Sequence, residues 1–218
     1  MSAQDPVYVP VGDSALLVRF GEQMDAAANR RVHALAQRLR QQPLAGVGEA
    51  VPGYITLLIH YDPLVLTYDQ ILAWVRAQAA QAQDEAGAAP RCVEIPVVYG
   101  GEFGPDLAFV ASHTGLSADE VIRRHTAPTY TVYFIGFTPG FPYLGGMDVR
   151  LTAPRLETPR ARVPAGSVGI AGPQTGVYPL ESPGGWRIIG RTQLPLFDLA
   201  AQPPSLLSPG DEVRFVRA

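Results

Sequence analysis

Residues 133–148 read YFIGFTPGFPYLGGMD. Gly136, Gly140, Gly145 and Gly146 are interleaved there with Tyr133, Phe134, Phe137, Phe141 and Tyr143, and Asp148 is the only charge. Glycine admits positive φ and close approach of the main chain, while Pro139 and Pro142 narrow the unfolded ensemble, so such a segment is rigid without being regular. Residues 158–192, TPRARVPAGSVGIAGPQTGVYPLESPGGWRIIGRT, have the same character. Short β-like runs such as WRIIGRT and EVRFVR remain among the recurring Pro and Gly, and no long helical period appears beyond Ile135. The pattern predicts a compact, loop-rich β-barrel or sandwich.

Upstream of the quoted stretch, TYTVYFI at Thr129–Ile135 and VEIPVVY at Val93–Tyr99 carry strand signals. Between them, Ser117 with Glu120 has the spacing of a capping box before Val121, Ile122 and His125, which predicts a short helix. Residues 79–90, AAQAQDEAGAAP, lose large apolar side chains and read as a helix end running into a linker. A domain boundary is expected near Gly87, giving domains 1–87 and 88–218.

The N-terminal part alternates strand and helix signals. SALLVRF at Ser14–Phe20 is a strand, and Asp25–Gln42 places Val32, Leu35, Ala36 and Leu39 on one helical face. Gly46–Ala50 and Tyr54–Tyr61 read as two strands joined through a Val51–Pro52–Gly53 turn. Thr67 and Gln70 form a second capping-box spacing before the apolar stripe of Ile71, Leu72, Trp74 and Val75.

A chain of 218 residues with 47% hydrophobic and 17% charged residues can bury a core and is comfortable as two small domains. A net charge of −3, from 17 Lys+Arg against 20 Asp+Glu, supplies no field for phosphate-backbone binding, so no nucleic-acid partner is expected. Cys92 is the single cysteine, which excludes an intrachain disulfide and suits a reducing compartment. No apolar run approaches the roughly 20 residues that cross a bilayer, and the N-terminus lacks a secretory pattern, so a cytoplasmic location with no membrane partner is expected.

The chemistry-bearing residues narrow the choice further. The chain contains no lysine, so a P-loop is absent, and any ATP would be held by arginines and backbone amides. His33, His60, His113 and His125 are scattered without metal-ligand spacing, and no metal site is expected. Ser167 lies in AGSVG, where a hydrolase elbow would need glycine at position 165. His125 reads either as a proton-transfer group or as a histidine capping the carbonyls at a helix C-terminus. Arg160 and Arg191 suit a bidentate clamp for a carboxylate or phosphate; the alternative is pairing with Glu157, Glu181 or Asp198. Ser167, Gln174 and Thr175 add hydroxyl and amide groups; Phe141, Tyr143 and Trp186 suit core or rim packing, although an aromatic beside Gly140 would also suit an apolar wall.

HTAPTYTVYFIGFTPGFPYLGGMD, the 151–192 run that follows it, and then LFD and SPGDEVRF resemble, in order and spacing, the 5-oxoprolinase B-subunit family, also called allophanate hydrolase subunit 1 or the sporulation kinase inhibitor family. Thr126 is a small departure, since serine is more usual after that histidine; the hydroxyl is kept. The resemblance implies an α+β chain, with an N-terminal small α/β sandwich followed by a C-terminal cyclophilin-like β-barrel. It implies a homologous partner, the 5-oxoprolinase C subunit, and a separate A subunit, which together with this chain open the lactam of 5-oxo-L-proline to L-glutamate at the expense of ATP, with Mg accompanying the nucleotide. The site expected is His125 and Arg160 as catalytic residues, with Gly140, Phe141, Ser167, Gln174, Thr175 and Arg191 binding substrate. Two other functions stay open: a regulatory module that inhibits histidine kinase autophosphorylation, and a part of an allophanate or urea carboxylase-type carboxyltransferase system. Prolyl isomerase activity would rest on fold analogy alone.

Overall fold

Asp25 accepts hydrogen bonds from the N–H groups of Ala27 and Ala28, both at 3.2 Å, and so starts helix α1 (Ala26–Gln41). A computed structural model describes residues 5–82 and 90–218 of the chain. The chain divides into two compact units, Met1–Ala89 and Pro90–Ala218; the boundary expected near Gly87 lies outside the described residues.

The first unit is a four-stranded antiparallel sheet with α1 and α2 (Tyr68–Ala82) on one face. Its strands are β1 (Val7–Val11), β2 (Ala15–Arg19), β3 (Val47–Pro52) and β4 (Thr56–Tyr61), in the order β1-β2-β4-β3. Leu16 and Val18 of β2 and Leu57 and Ile59 of β4 share the face that meets the helices, as the alternation of a strand requires. Val32, Leu35, Ala36 and Leu39 meet them from α1, and Ile71, Val75 and Ala79 from α2. The capping box that opens α2 is reciprocal: Thr67 N–H donates to Gln70 Oε1 at 2.8 Å, and Gln70 N–H to Thr67 Oγ1 at 3.3 Å.

One local expectation changes, and one strand was not anticipated. Val51 and Pro52 belong to β3 rather than to a turn, with Pro52 paired opposite Leu57. Proline lacks a ladder donor, and it is tolerated there because β3 is an edge strand. The other edge, β1, is VYVPV, whose Pro10 hides the strand from a propensity reading.

The second unit is a closed barrel flanked by helices. It begins with β5 (Cys92–Tyr99), α3 (Leu107–Thr114), α4 (Ala118–Thr126), β6 (Tyr130–Ile135) and β7 (Pro142–Gly145). β8 (Arg160–Val163), β9 (Ser167–Ala171), β10 (Gln174–Val177), β11 (Ser182–Gly184), β12 (Arg187–Arg191) and β13 (Glu212–Arg217) follow. Seven strands close in the order β10-β7-β6-β13-β5-β12-β9, and β8 pairs with β11 in a separate ribbon. All the barrel pairings are antiparallel except β5 with β13, whose register sets Ile95 beside Phe215. Closure removes the unpaired edges that an open sheet of this length would expose.

The barrel core joins Ile95, Val132, Leu144, Ile170, Ile189 and Phe215 to Val110 of α3 and Val121 of α4. The expected Ser117 cap is present, with Glu120 N–H donating to Ser117 Oγ at 3.2 Å. Glu120 does not reach back to complete the box; its carboxylate binds Arg123 and Arg124, which hold its pKa down at about 2. Among the described residues, no helix is long and apolar enough to cross a membrane.

Candidate functional site

The two glycine- and proline-rich segments meet. Thr175 of β10 pairs opposite Leu144 of β7, which sets the second segment against the first. An aromatic cluster lies where they face each other: the Phe141 ring is 5.2 Å from that of Tyr178 and 5.4 Å from that of Trp186, both in edge-to-face geometry. Phe141 is thus buried packing rather than an open wall. Gly140 has φ +80°, and a Cβ there would stand 2.8 Å from the Cβ of Phe197, so glycine is required by both backbone and space. Phe137, at the tip of the connecting turn, has φ +67° and remains 63% exposed.

His125 sits at the end of α4 but points into the barrel and is fully buried. Its Nδ1 is 2.8 Å from Tyr99 Oη, and its Nε2 is 2.9 Å from Thr175 Oγ1. Thr175 Oγ1 donates its one proton to the Gly169 carbonyl at 3.0 Å, so it accepts from Nε2–H, and Nδ1 accepts from the Tyr99 hydroxyl. The ring is therefore satisfied in its neutral form, and burial pushes its pKa down to about 3. Burial pushes the phenols of Tyr99 and Tyr130 up. Tyr130 Oη donates to the His125 carbonyl at 2.7 Å, fixing the helix end as well as the ring. His125 and Thr175 are thus brought together, inside the barrel and away from solvent.

Arg160 has a carboxylate partner that spacing along the chain does not suggest. Its Nη2 donates to Asp106 Oδ1 at 2.9 Å, while Asp106 Oδ2 accepts the N–H of Ile188 at 2.7 Å. Asp106 is nearly buried, so this pair ties the start of α3 to β8 and β12. Glu181, one of the partners considered for Arg160, instead binds Arg162.

Arg191 is different. Its Nε–H donates to the Ala165 carbonyl at 2.9 Å, and its Nη groups make no hydrogen bond or ion pair within the described residues. The side chain lines a cleft of about 490 Å³ together with Val98, Phe103, Ala165, Gly166, Pro179, Thr192, Gln193, Leu194 and Pro195. Arg191 is the one charged residue in that lining. Gly166 donates its N–H to Tyr178 and accepts from Thr192 N–H, and Thr192 Oγ1 accepts from Leu194 N–H, so both walls are fixed through the backbone. The fork presents two open N–H-bearing nitrogens to a space with apolar walls, an arrangement suited to one carboxylate.

Ser167 pairs opposite Arg191 in the β9–β12 ladder but is buried, and Gln174 starts β10 at the β9–β10 hairpin. Of the expected site residues, then, Arg191 alone reaches the cleft. Tyr99, Asp106, Phe103 and the 192–195 turn were not anticipated; only Asp106, just ahead of an apolar run, carried a recognisable helix-start signal. Among the described residues, no group of three or more His, Cys, Asp or Glu side chains is placed to hold a metal ion.

Comparison with known proteins agrees with this architecture. Residues 6–207 match the family model of the carboxyltransferase domain, subdomain C and D. The 5-oxoprolinase B subunit of Bacillus subtilis is 46% identical over 217 residues, spanning 95% of this chain and 90% of that protein. The crystal structure of TTHA0988 superposes with a TM-score of 0.81 at 44% identity, covering 94% of this chain, which spans 40% of that longer one. Kluyveromyces lactis urea carboxylase shares the fold, with a TM-score of 0.79 at 21% identity over all of this chain and 22% of its own. The chain belongs to the 5-oxoprolinase B-subunit family, within the carboxyltransferase subdomain C and D group.

Proposed function

We propose that this chain is one component of a cytoplasmic, ATP-dependent 5-oxoprolinase that opens 5-oxo-L-proline to L-glutamate together with a homologous C subunit and a separate A subunit. The observation that carries this reading is 46% identity over nearly the whole length to a protein named as the B subunit of 5-oxoprolinase. In this account the barrel is of the cyclophilin-like kind and the N-terminal unit a small α/β sandwich.

The residues support a shared site rather than a self-sufficient one. Lactam opening needs a nucleophile or activated water, a proton shuttle and a place for developing negative charge. Arg191 supplies anion binding, but His125 is buried and held neutral, and Arg160 is spent on Asp106. We assign Arg191 to the substrate carboxylate. His125, Thr175 and Ser167 become groups that hold the barrel, Gln174 a residue of the hairpin beside them, Gly140 and Phe141 the packing between the two segments, and Arg160 the tie to α3.

ATP with its Mg does not fit this cleft. One guanidinium faces it, the chain has no lysine, and among the described residues no cluster of metal ligands exists. The nucleotide is therefore assigned to another component of the complex.

Co-expression with candidate A and C subunits, followed by an assay of 5-oxoproline-dependent glutamate and ADP formation, tests the reading. Turnover that requires all three proteins is expected. Robust lactam opening by the purified single chain, or none by the assembled set, would overturn it.

A further inference from the structure

We propose that the Arg191 cleft is a binding site for small monocarboxylates with an uncharged body, and that it is complete on this chain alone. Resting on the 5-oxoprolinase reading only for the identity of the natural ligand, the proposal names what the cleft accepts and what it turns away.

The Ala165 carbonyl holds Arg191 through Nε at 2.9 Å, which orients the guanidinium and leaves its Nη edge for a carboxylate. A planar fork binds both oxygens at once and loses little freedom in doing so. No second cation lines the cleft, so one anionic group is neutralised and a further one is not. Phe103, Pro179, Leu194 and Pro195 line the same cleft; they favour apolar surface and penalise a charge pressed against them without a partner. Gly166 is fixed in the lining: it has φ +80°, and a Cβ on it would lie 2.0 Å from the Thr192 carbonyl oxygen, so only glycine fits there.

A five-membered lactam bearing one carboxylate meets these conditions. The amino dicarboxylate formed by opening its ring does not, because it adds an ammonium and a second carboxylate that face apolar walls. The cleft thus sorts ring-closed acid from ring-opened product, and product leaves without a separate release device.

Calorimetric titration of the chain tests this, with cyclopentanecarboxylate, 5-oxo-L-proline, L-glutamate and uncharged 2-pyrrolidinone as probes. Both ring acids are expected to bind, and glutamate and 2-pyrrolidinone at least tenfold more weakly. Arg191→Met should weaken the ring acids at least tenfold without a change in melting temperature. Val98→Asp, an exposed substitution on the cleft wall, should weaken them similarly and serves if Arg191→Met fails to fold. The proposal is overturned if neither ring acid binds, if glutamate binds equally well, or if both variants bind like the wild type. Arg191-dependent binding of cyclopentanecarboxylate at least tenfold tighter than that of 5-oxoproline keeps the carboxylate cleft and removes the lactam from it.

Discussion

Arg160 Nη2 donates to Asp106 Oδ1 at 2.9 Å across 54 residues of chain, and the same carboxylate accepts the backbone N–H of Ile188. Asp106 is the more buried member and serves two donors, so its loss strands more than the loss of Arg160 does. Asp106→Ala should cost about 2–3 kcal/mol, the penalty for leaving buried donors unpaired. Arg160→Met, on a side chain that is 31% exposed, should cost about 1 kcal/mol. Urea denaturation measures both; a larger loss from Arg160→Met than from Asp106→Ala contradicts the assignment.

His125 gives a pH signature. Its folded pKa, at about 3, lies below the ordinary histidine value, so between these values the unfolded chain binds the extra proton and stability falls as pH falls. Above the ordinary value the effect is flat. Glu120 and Asp148 are also held low by their arginines, and they contribute only at more acid pH. Between about pH 6.5 and pH 5, where these carboxylates stay ionised, the melting temperature of the wild type should therefore drop more steeply than that of His125→Gln. Parallel slopes would show that His125 is not the buried neutral group described.

Gly166 and Gly172 make a matched pair, since both have positive φ but only Gly166 faces an obstacle. Gly172→Ala should cost about 1–2 kcal/mol from the left-handed backbone alone. Gly166→Ala adds a collision with the Thr192 carbonyl and should cost about 1–3 kcal/mol more, with loss of ligand binding at the cleft. Equal costs would mean that the backbone around Arg191 relaxes freely.

The elements that were legible in the sequence announce themselves locally. Thr67 and Ser117 cap α2 and α4, as their capping-box spacing announces, and the buried faces of α1 and α2 follow from apolar spacing. By contrast, α3 is LAFVASHT, with no amphipathic period; the Asp106 ahead of it is a helix-start residue by type, but its carboxylate makes no cap and serves Arg160 and the Ile188 N–H instead. β1 is masked by Pro10. The cleft was half visible: Arg191 stood out by type, whereas Ala165, Pro179, Leu194 and Pro195 become a wall only when the 164–166 and 192–195 turns are brought together. His125 was legible as a titratable group beside the glycine-rich stretch. Its burial depends on Tyr99 and Thr175, 26 residues before it and 50 after it, which no local pattern connects.

The central claim is that the Arg191 fork, rather than its charge, binds the substrate carboxylate in the working enzyme. Arg191→Lys keeps the charge and loses the bidentate geometry. In the complex reconstituted with the A and C subunits, kcat/KM for 5-oxoproline should fall at least tenfold, about 1.4 kcal/mol of transition-state stabilisation, while assembly and melting temperature stay unchanged. Undiminished kcat/KM, or a loss matched in full by a loss of folded protein, would contradict the account.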